Sequence, residues 1–218
     1  MKYLRNPVKG AILLNYPTGN IYQIFGVNVE LYRKAIGTEG HNGVDIVKEF
    51  RAPILASAGK VVERKDDPSG YGRWVRLLTE PDENGDFLEL TYGHLDGIYA
   101  NIQKGFKVED DQIIGLMGNT GFVISGNTPY WGNAPAGKGV HLHFGVRECS
   151  TKNTGHRVVY ASGDSAYVKD YNNGLKGATN PLKYIEADPG AIRIAMGIIG
   201  TIISLLKKMQ ESLKVEVK

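Results

Sequence analysis

Hydrophobic and polar positions alternate over most of residues 10–185, and this alternation predicts a mainly β structure. Short runs rich in Val, Ile, Leu and Tyr are separated by turn signals such as DDPSGYG and PDENGD. The runs that predict strands are GNIYQIFG (19–26), ILASAGKVVER (54–64), GRWVRLLT (72–79), DFLELTYGHL (86–95), QIIGLMGNTG (112–121) and VHLHFGVRE (140–148). Their spacing of roughly 10–20 residues favours an antiparallel sandwich or barrel-like fold over βαβ units.

The character of the chain changes near residue 186. The stretch NPLKYIEADPG (180–190) combines a Pro-marked turn with a short apolar run and is typical of a domain exit. Beyond it, apolar residues recur at helical spacing and predict an amphipathic helix. Those residues are Ile192, Ala195, Met196, Ile199, Ile202, Ile203, Leu206, Met209 and Leu213. We therefore predict a domain over 1–186, with its core at 17–186, followed by a C-terminal helix over 187–218.

The predicted C-terminal helix has three interpretations. Its uncharged run from Ile194 to Leu206 is shorter than the roughly 20 residues that cross a bilayer, which disfavours a membrane span. The helix either packs on its own domain or self-associates, or it lies on a membrane surface with Lys207 and Lys208 near the headgroups. The sequence leaves open the choice between packing or self-association and contact with a membrane surface.

Composition narrows the classes of function. The chain has 218 residues, a net charge of +3 and one cysteine. No block of Lys and Arg interleaved with aromatic residues indicates a nucleic acid partner. The lone Cys149 allows neither an intrachain disulfide nor a Cys-rich metal site, and we expect its thiol to be inert. The N-terminal stretch lacks the apolar core of a cleaved signal peptide, so we expect no such signal.

Two histidines one residue apart interrupt an apolar run, GVHLHFGV. Residues i and i+2 of a strand point to the same face, so His141 and His143 project side by side while Leu142 and Phe144 turn toward the core. Parallel imidazoles suit metal binding or proton transfer. The sequence therefore predicts a polar site on one face of this strand.

A second cluster, GHNGVDIV, places His41 and Asp45 four residues apart. Its two glycines argue against a helix, so we expect a loop that runs into a strand. Together with His143, these side chains would offer two imidazole nitrogens and one carboxylate oxygen to a single ion. Three protein ligands with an open fourth position are the pattern of catalytic zinc, with ligand distances of about 2.0–2.2 Å.

A third piece, TYGHL, carries His94 at a strand end. In the order GHNGVD, YGHL and HLHFGV, the three pieces resemble the lysostaphin-type zinc metallopeptidases, which cleave peptide cross-links in bacterial cell walls. APILASAGKVVER, IIGLMGNTG and NPLKYI resemble further segments of that family, so the resemblance spans about residues 17–186. It implies an antiparallel β-sandwich or lipoyl-like, barrel-type core.

The resemblance also implies a role for each matching residue. His41, Asp45 and His143 match the zinc ligands, and His141 and His94 match the catalytic histidines. On this basis we expect one Zn²⁺, with His141 as general base and His94 as a donor to the oxyanion or to the leaving amine. The implied function is a zinc metalloendopeptidase that hydrolyses peptidoglycan peptides.

Two segments depart from the family pattern. The loop over residues 122–139 is longer than usual and carries Tyr130 and Trp131 at its centre. This loop insertion either shapes substrate choice at the cleft or forms a flap that does not touch substrate. The segment 150–179 contains His156, which we interpret as a surface or loop histidine and not as a fourth ligand.

Two other classes of function compete with an enzyme. A non-catalytic wall-binding or regulatory module on the same fold usually lacks metal residues, whereas all five positions are filled here. A lipoyl-like carrier or sugar-binding sandwich does not explain the ordered histidines and aspartate. A wall-cutting enzyme without an export signal resembles a phage endolysin or a virion-associated protein. We therefore expect it in the host cytoplasm until lysis, or on a virion, and a secreted bacterial enzyme with a non-standard export route is the alternative.

Overall fold

Strands dominate the part of the chain that the computed structural model describes, residues 3–126, 128–185 and 201–207. In chain order the elements are β1 (Ile21–Gln23), α1 (Val29–Ile36), β2 (Val44–Ile46), β3 (Pro53–Leu55), β4 (Gly59–Asp67), β5 (Gly72–Leu78), β6 (Asp86–Ile98), β7 (Lys107–Val108), β8 (Ile113–Met117), β9 (Val123–Ser125), β10 (Thr128–Tyr130), β11 (Leu142–Ser150), β12 (His156–Val159), β13 (Ser165–Val168), β14 (Ala178–Thr179) and a 3-10 turn (Pro181–Lys183).

In the central sheet, β11 lies between β2 and β6. Its strands lie in the order β1, β2, β11, β6, β5, β4 and β7, and the neighbouring strands pair antiparallel. β8 pairs with β3 and β6, while β13 and β14 pair with β11. The prediction of a mainly β, antiparallel fold is confirmed. β11 carries His143 and directly follows His141, which forms an isolated bridge with Gly118. It lies directly beside β2, which carries Asp45.

One face of the central strands holds the hydrophobic core. Leu142 and Phe144 on β11 are fully buried, as is Tyr92 on β6. The rings of Tyr92 and Phe144 pack with their centroids 5.1 Å apart. Burying such apolar area contributes about 25 cal/mol per Å². Because strand side chains alternate, His143 and Gly145 lie on the opposite face, away from this core.

The helix α1, between β1 and β2, is not predicted by the hydrophobic pattern. It begins after Asn28 and ends at Gly37, whose φ angles are 57° and 70°. The helix has eight residues, none of them fully buried. A helix of two turns is too short for its periodicity to stand out within a chain dominated by strands.

The segment after β11 forms strands that the sequence analysis leaves unassigned. β12 and β13 make an antiparallel pair, and His156 begins β12 opposite Val168. The His156 side chain is exposed, and its ring stacks on that of Tyr171 with the centroids 4.0 Å apart. His156 is therefore a surface residue of a strand.

Cys149 lies in a second, smaller apolar cluster. Its neighbours in that cluster include Val62, Phe87 and Tyr160, and the Cys149 side chain is fully buried. Burial and the negative charge of Glu89 raise the pKa of the thiol to about 12. The reactive thiolate is therefore scarce at neutral pH, which agrees with the expected inertness.

The chain divides into two compact units, Met1–Glu186 and Ala187–Lys218. In the second unit the described residues 201–207 are helical and exposed. The rest of the predicted C-terminal helix, 187–200 and 208–218, lies outside the described residues. Among the helices that the structure describes, none combines the length and apolarity that crossing a bilayer requires. Self-association and membrane-surface contact through this segment stay predictions.

Candidate active site

Two neighbouring strands and one loop bring His41, Asp45 and His143 together. Asp45 on β2 lies directly opposite His143 on β11 in the antiparallel register. His41 stands in the loop that leads into β2, as the glycines of the sequence suggest. Gly43 in that loop is needed for the close approach, because a Cβ atom there would lie 2.7 Å from Cε1 and Nε2 of His143.

The three side chains direct one donor atom each at a common point. Nε2 of His41 lies 3.0 Å from Nδ1 of His143 and 3.1 Å from Oδ1 of Asp45. Nδ1 of His143 lies 3.2 Å from the same Oδ1. Ligand atoms of a tetrahedral ion with bonds near 2.1 Å would be separated by about 3.4 Å, so small shifts would admit an ion. The described residues of this triad therefore form a group that fits one metal ion.

Hydrogen bonds orient the two imidazoles of the triad. Nδ1 of His41 lies 3.2 Å from the carbonyl oxygen of Ile24, which only accepts, so Nδ1 carries the proton and Nε2 presents its lone pair to the triad. Nε2 of His143 is buried and has no hydrogen-bond partner among the described residues. The hydrogen-bonding capacity of His143 is thus directed through Nδ1 toward Asp45 and His41.

The electrostatics of the triad keep the carboxyl charged and the imidazole neutral. Burial opposes ionisation of Asp45, but the neighbouring imidazoles of His141, His41 and His143 hold the pKa of its carboxyl well below the ordinary value. Burial lowers the pKa of His143 to about 4, against the opposing effect of Asp45. A carboxylate and a neutral imidazole are the forms that bind metal ions.

His141 and His94 lie beside the triad with their rings 4.6 Å apart, measured between centroids. Nε2 of His141 is 3.7 Å from Oδ1 of Asp45. Nδ1 of each histidine faces a backbone carbonyl, that of Gly139 at 2.8 Å for His141 and that of Thr120 at 2.7 Å for His94. Both rings therefore carry their proton on Nδ1 and keep Nε2 as an acceptor when neutral.

His94 differs from the expected donor in its starting state. Burial, followed by the nearby charges of His141 and His143, holds the pKa of His94 well below the ordinary value. A neutral His94 with its proton on Nδ1 has no proton on Nε2 to give. It becomes a donor at Nε2 only after that atom has accepted a proton.

Two tyrosines that were not predicted as site residues pack against the triad. The Tyr71 ring stacks on His143 at 4.9 Å between centroids, and its hydroxyl oxygen accepts a 2.6 Å hydrogen bond from Nδ2 of Asn42. The Tyr32 ring stacks on His41 at 5.2 Å. Two sequence features could have identified the contact between Asn42 and Tyr71, because Asn42 lies inside the GHNGVD motif and Tyr71 lies in a Gly-flanked turn. Tyr32 offered none, because it lies on the unpredicted helix α1.

The site opens into a cleft with a volume of about 760 Å³. Asp45, His94, His141 and His143 all line it. Part of the long loop also lines it, namely Phe122, Val123, Ile124, Ser125, Gly126, Gly137 and Gly139. Tyr130 and Trp131 are not among the described residues that line the cleft. The insertion therefore borders the cleft through its two ends and not through the aromatic pair at its centre.

One family model and one curated relative match about half of the chain each. The family model described as Peptidase family M23 matches residues 39–158. The L-Ala--D-Glu endopeptidase of Bacillus subtilis (strain 168) is 28% identical over 110 residues, which are 50% of this chain and 30% of that protein. The chain thus spans less than a third of the length of this curated relative.

Solved structures of similar proteins come from other bacteria. The catalytic domain of the antimicrobial peptidase lysostaphin from Staphylococcus simulans is 22% identical, with a TM-score of 0.43, over 68% of this chain and 80% of that chain. A zinc containing peptidase from Vibrio cholerae is 26% identical, with a TM-score of 0.43, over 67% of this chain and 36% of that chain.

The family match covers more than half of the chain, since 120 of 218 residues lie between 39 and 158. It runs from the loop before β2 to β12, and all five predicted site residues fall within it. On the basis of this match, the chain belongs to peptidase family M23.

Proposed function

We propose that the chain is a zinc-dependent endopeptidase that hydrolyses peptide cross-links of bacterial peptidoglycan. The observation that carries this proposal is the buried triangle of donor atoms from His41, Asp45 and His143, with sides of 3.0–3.2 Å. Two imidazole nitrogens and one carboxylate oxygen are a donor set that Zn²⁺ prefers, and three protein ligands leave a fourth position for the reaction.

Each ligand would contribute a defined atom. His41 would bind through Nε2, His143 through Nδ1 and Asp45 through Oδ1, the atoms that already face one another. When bound, Zn²⁺ lowers the pKa of water and polarises the carbonyl group of the scissile peptide. Ile24 supports this arrangement, because its carbonyl oxygen holds the proton of His41 on the atom that points away from the triad.

In this proposal, His141 acts as the general base. Its Nε2 faces Asp45 across 3.7 Å at the edge of the cleft, and its Nδ1–H is fixed by the carbonyl of Gly139. A neutral imidazole fixed in this way accepts a proton from the attacking water at Nε2 and later returns it to the leaving amine. His94, fixed by Thr120, offers a second acceptor beside it and serves as a donor after protonation.

The substrate class rests on the relatives. The curated relative carries the name of an endopeptidase that acts on an L-Ala--D-Glu bond, and peptidases of this family share the segment that contains the site. An open cleft of about 760 Å³ along the sheet suits an extended peptide. A role as a phage endolysin or virion-associated enzyme stays a prediction from the sequence.

Purified cell walls test the proposal directly. We expect the full chain to release amino-terminated peptides from walls when loaded with one equivalent of Zn²⁺. Release should stop with a chelator and return when Zn²⁺ is added back. Release that is equal with and without chelator, or absent in both, would contradict the enzyme assignment. A native chain that binds no zinc would instead favour a non-catalytic wall-binding module on the same fold.

A further inference from the structure

A cluster of one buried and two partly buried charged residues lines the cleft and has no role in the proposed chemistry. Arg147 on β11 lies opposite Glu89 on β6, and Arg76 on β5 lies one strand further. Nε of Arg147 donates a 2.7 Å hydrogen bond to Oε1 of Glu89, and Nε of Arg76 lies 3.0 Å from the same oxygen. All three residues line the cleft that contains the triad. They form what we call the arginine cluster: Arg76, Glu89 and Arg147.

Both oxygens of the Glu89 carboxylate accept hydrogen bonds, whereas the guanidinium groups of Arg76 and Arg147 keep N–H groups that donate none within the described residues. Glu89 is 1% exposed, and its Oε2 also accepts hydrogen bonds from the Tyr160 hydroxyl and from Nη2 of Arg147. The side chains of Arg76 and Arg147 are 17% and 16% exposed. Within the described part of the chain, Nη1 of Arg147 and Nη2 of Arg76 donate no hydrogen bond. The cluster therefore presents unused N–H donors, and not acceptors, to the cleft.

The arginine cluster lies on the same sheet face as the triad. His143, Gly145 and Arg147 are alternate residues of β11, so their positions follow one another along that face. Four strand residues span roughly 13 Å, about the length of four residues of an extended peptide. Gly145 leaves the path between the two ends without a side chain. An extended peptide bound at the triad would therefore reach the arginine cluster.

The charge around the cluster also favours an anion. Arg76 is paired with Glu63 at 2.5 Å, so the two arginines and two glutamates balance each other. Lys65 lies 3.5 Å from Glu63, and Lys176 lines the cleft wall. Among the charged residues that line the cleft, the four basic ones outnumber the three acidic ones by one: Lys48, Arg76, Arg147 and Lys176 against Asp45, Asp67 and Glu89. Guanidinium forks recognise carboxylates through paired, charge-assisted hydrogen bonds.

We propose that Arg147 and Arg76 form a subsite that binds a free carboxylate of the peptide substrate. This inference rests on the proposed peptidase function, because it assumes that a peptide occupies the cleft. The subsite would select peptides in which a carboxylate lies about four residues from the scissile bond. It would contribute to specificity, and the triad and its two neighbouring histidines would remain responsible for the reaction.

The test compares two peptides that differ in one group. N-acetylated alanine hexapeptides, one with a C-terminal carboxylate and one with a C-terminal amide, are titrated into the full, metal-free chain by calorimetry. We expect the carboxylate to bind about 10-fold more tightly or better, which is the range for a charge-assisted pair. Equal binding of both peptides, or binding of neither, would overturn the subsite.

Matched variants assign the preference to Arg147. Arg147→Gln and Arg147→Lys should both reduce the preference to less than about 3-fold, because neither presents a guanidinium fork. Arg51→Gln removes an exposed arginine that is paired with Asp96, and it should leave the preference for the carboxylate peptide unchanged. Circular dichroism confirms folding. If Arg147→Gln unfolds, Arg147→Lys decides the question, since it retains the charge. A folded Arg147→Lys with full preference would refute the proposal.

The binding assay also separates this inference from the proposed function. It uses no metal and no turnover, so a chain that never cleaves cell walls still gives a result. Loss of the carboxylate preference with intact zinc-dependent cleavage would remove the subsite alone. A clear preference in a chain without cleavage would remove the peptidase proposal and leave a carboxylate-binding cleft.

Discussion

Asp45 and His143 are opposite residues in the antiparallel register of β2 and β11, with Oδ1 and Nδ1 3.2 Å apart. Backbone hydrogen bonds of the sheet therefore fix the distance between two candidate ligands that are 98 residues apart in sequence. His41 joins them from a loop held by the carbonyl of Ile24. Because strands position two of the three donors, the site is preorganised before an ion arrives.

Asp45→Asn tests the anionic ligand. The substitution keeps the size of the side chain but removes the charge that Asp45 holds at neutral pH because its pKa is well below the ordinary value. We expect the zinc affinity to fall by more than about 100-fold, measured by competition with a chromophoric chelator. Asp164→Asn is the matched control, since Asp164 pairs with Lys60 outside the cleft. Unchanged zinc affinity in Asp45→Asn would contradict the ligand assignment.

His141→Ala separates binding of the ion from turnover. His141 is near the triad, but its Nε2 is 3.7 Å from Asp45, beyond the distances that join the three donors. We expect the variant to bind one equivalent of zinc while kcat on cell-wall peptides falls by about 10²–10⁴-fold. The exposed His156 provides the control substitution His156→Ala, which should change neither quantity. Loss of zinc together with activity would show that His141 is itself a ligand.

Tyr71 packs against the candidate ligand His143, and two substitutions separate the role of its ring from that of its hydroxyl. The ring stacks on His143 and the hydroxyl accepts a hydrogen bond from Asn42. We expect Tyr71→Ala to weaken zinc binding by about 10-fold, because residues that orient ligands typically contribute 10–100-fold. Tyr71→Phe keeps the ring and should have a smaller effect. A full loss with Tyr71→Phe would assign the effect to the hydroxyl instead.

Glu89 should make the stability of the fold sensitive to acid. Burial opposes its ionisation, but the charges of Arg76 and Arg147 lower its pKa below the ordinary value. A carboxyl with a lowered folded pKa contributes stability above its unfolded pKa of about 4.3 and loses it as the pH falls through the folded pKa. We expect Glu89→Gln to lower the free energy of unfolding by about 3–5 kcal/mol at pH 7.

Urea denaturation at several pH values checks this prediction. The difference between the original chain and Glu89→Gln should narrow steadily below about pH 4.3, because protonation of the carboxyl in the unfolded chain then favours unfolding until the folded carboxyl is neutral as well. Asp164→Asn provides a control for a partly exposed ion pair, with an expected effect of at most about 1 kcal/mol. A difference that stays constant from pH 7 down to pH 3 would rule out ionisation of Glu89 as its source.

The sequence predicts the strands well where one face is buried, because alternation is then strict. β6 and β11 follow the predicted runs, and Leu142 and Phe144 face the core as expected. α1 and the β12–β13 pair were not predicted. α1 has no fully buried residue, and the side chains of β12 are mostly exposed, so neither leaves a clear hydrophobic pattern.

For the candidate site, sequence motifs predict which residues come together, whereas tertiary packing determines their protonation and their stacking partners. The structure brings together all five predicted residues, because the motifs mark positions on adjoining strands and loops. The protonation of His94 could not be predicted, since it depends on the carbonyl of Thr120, 26 residues away. The stacking of Tyr32 and Tyr71 on the ligands likewise depends on tertiary contacts.

The burial of Cys149 has a practical consequence for spectroscopy. Its thiol is fully enclosed and its pKa is raised to about 12, so maleimide and iodoacetamide reagents should leave it unmodified at neutral pH. A cysteine introduced at an exposed position, such as Trp131→Cys at 61% exposure, would then be the single labelled site. A fluorophore or spin label there would report how the tip of the long loop moves while a peptide enters, with no need to remove the natural thiol.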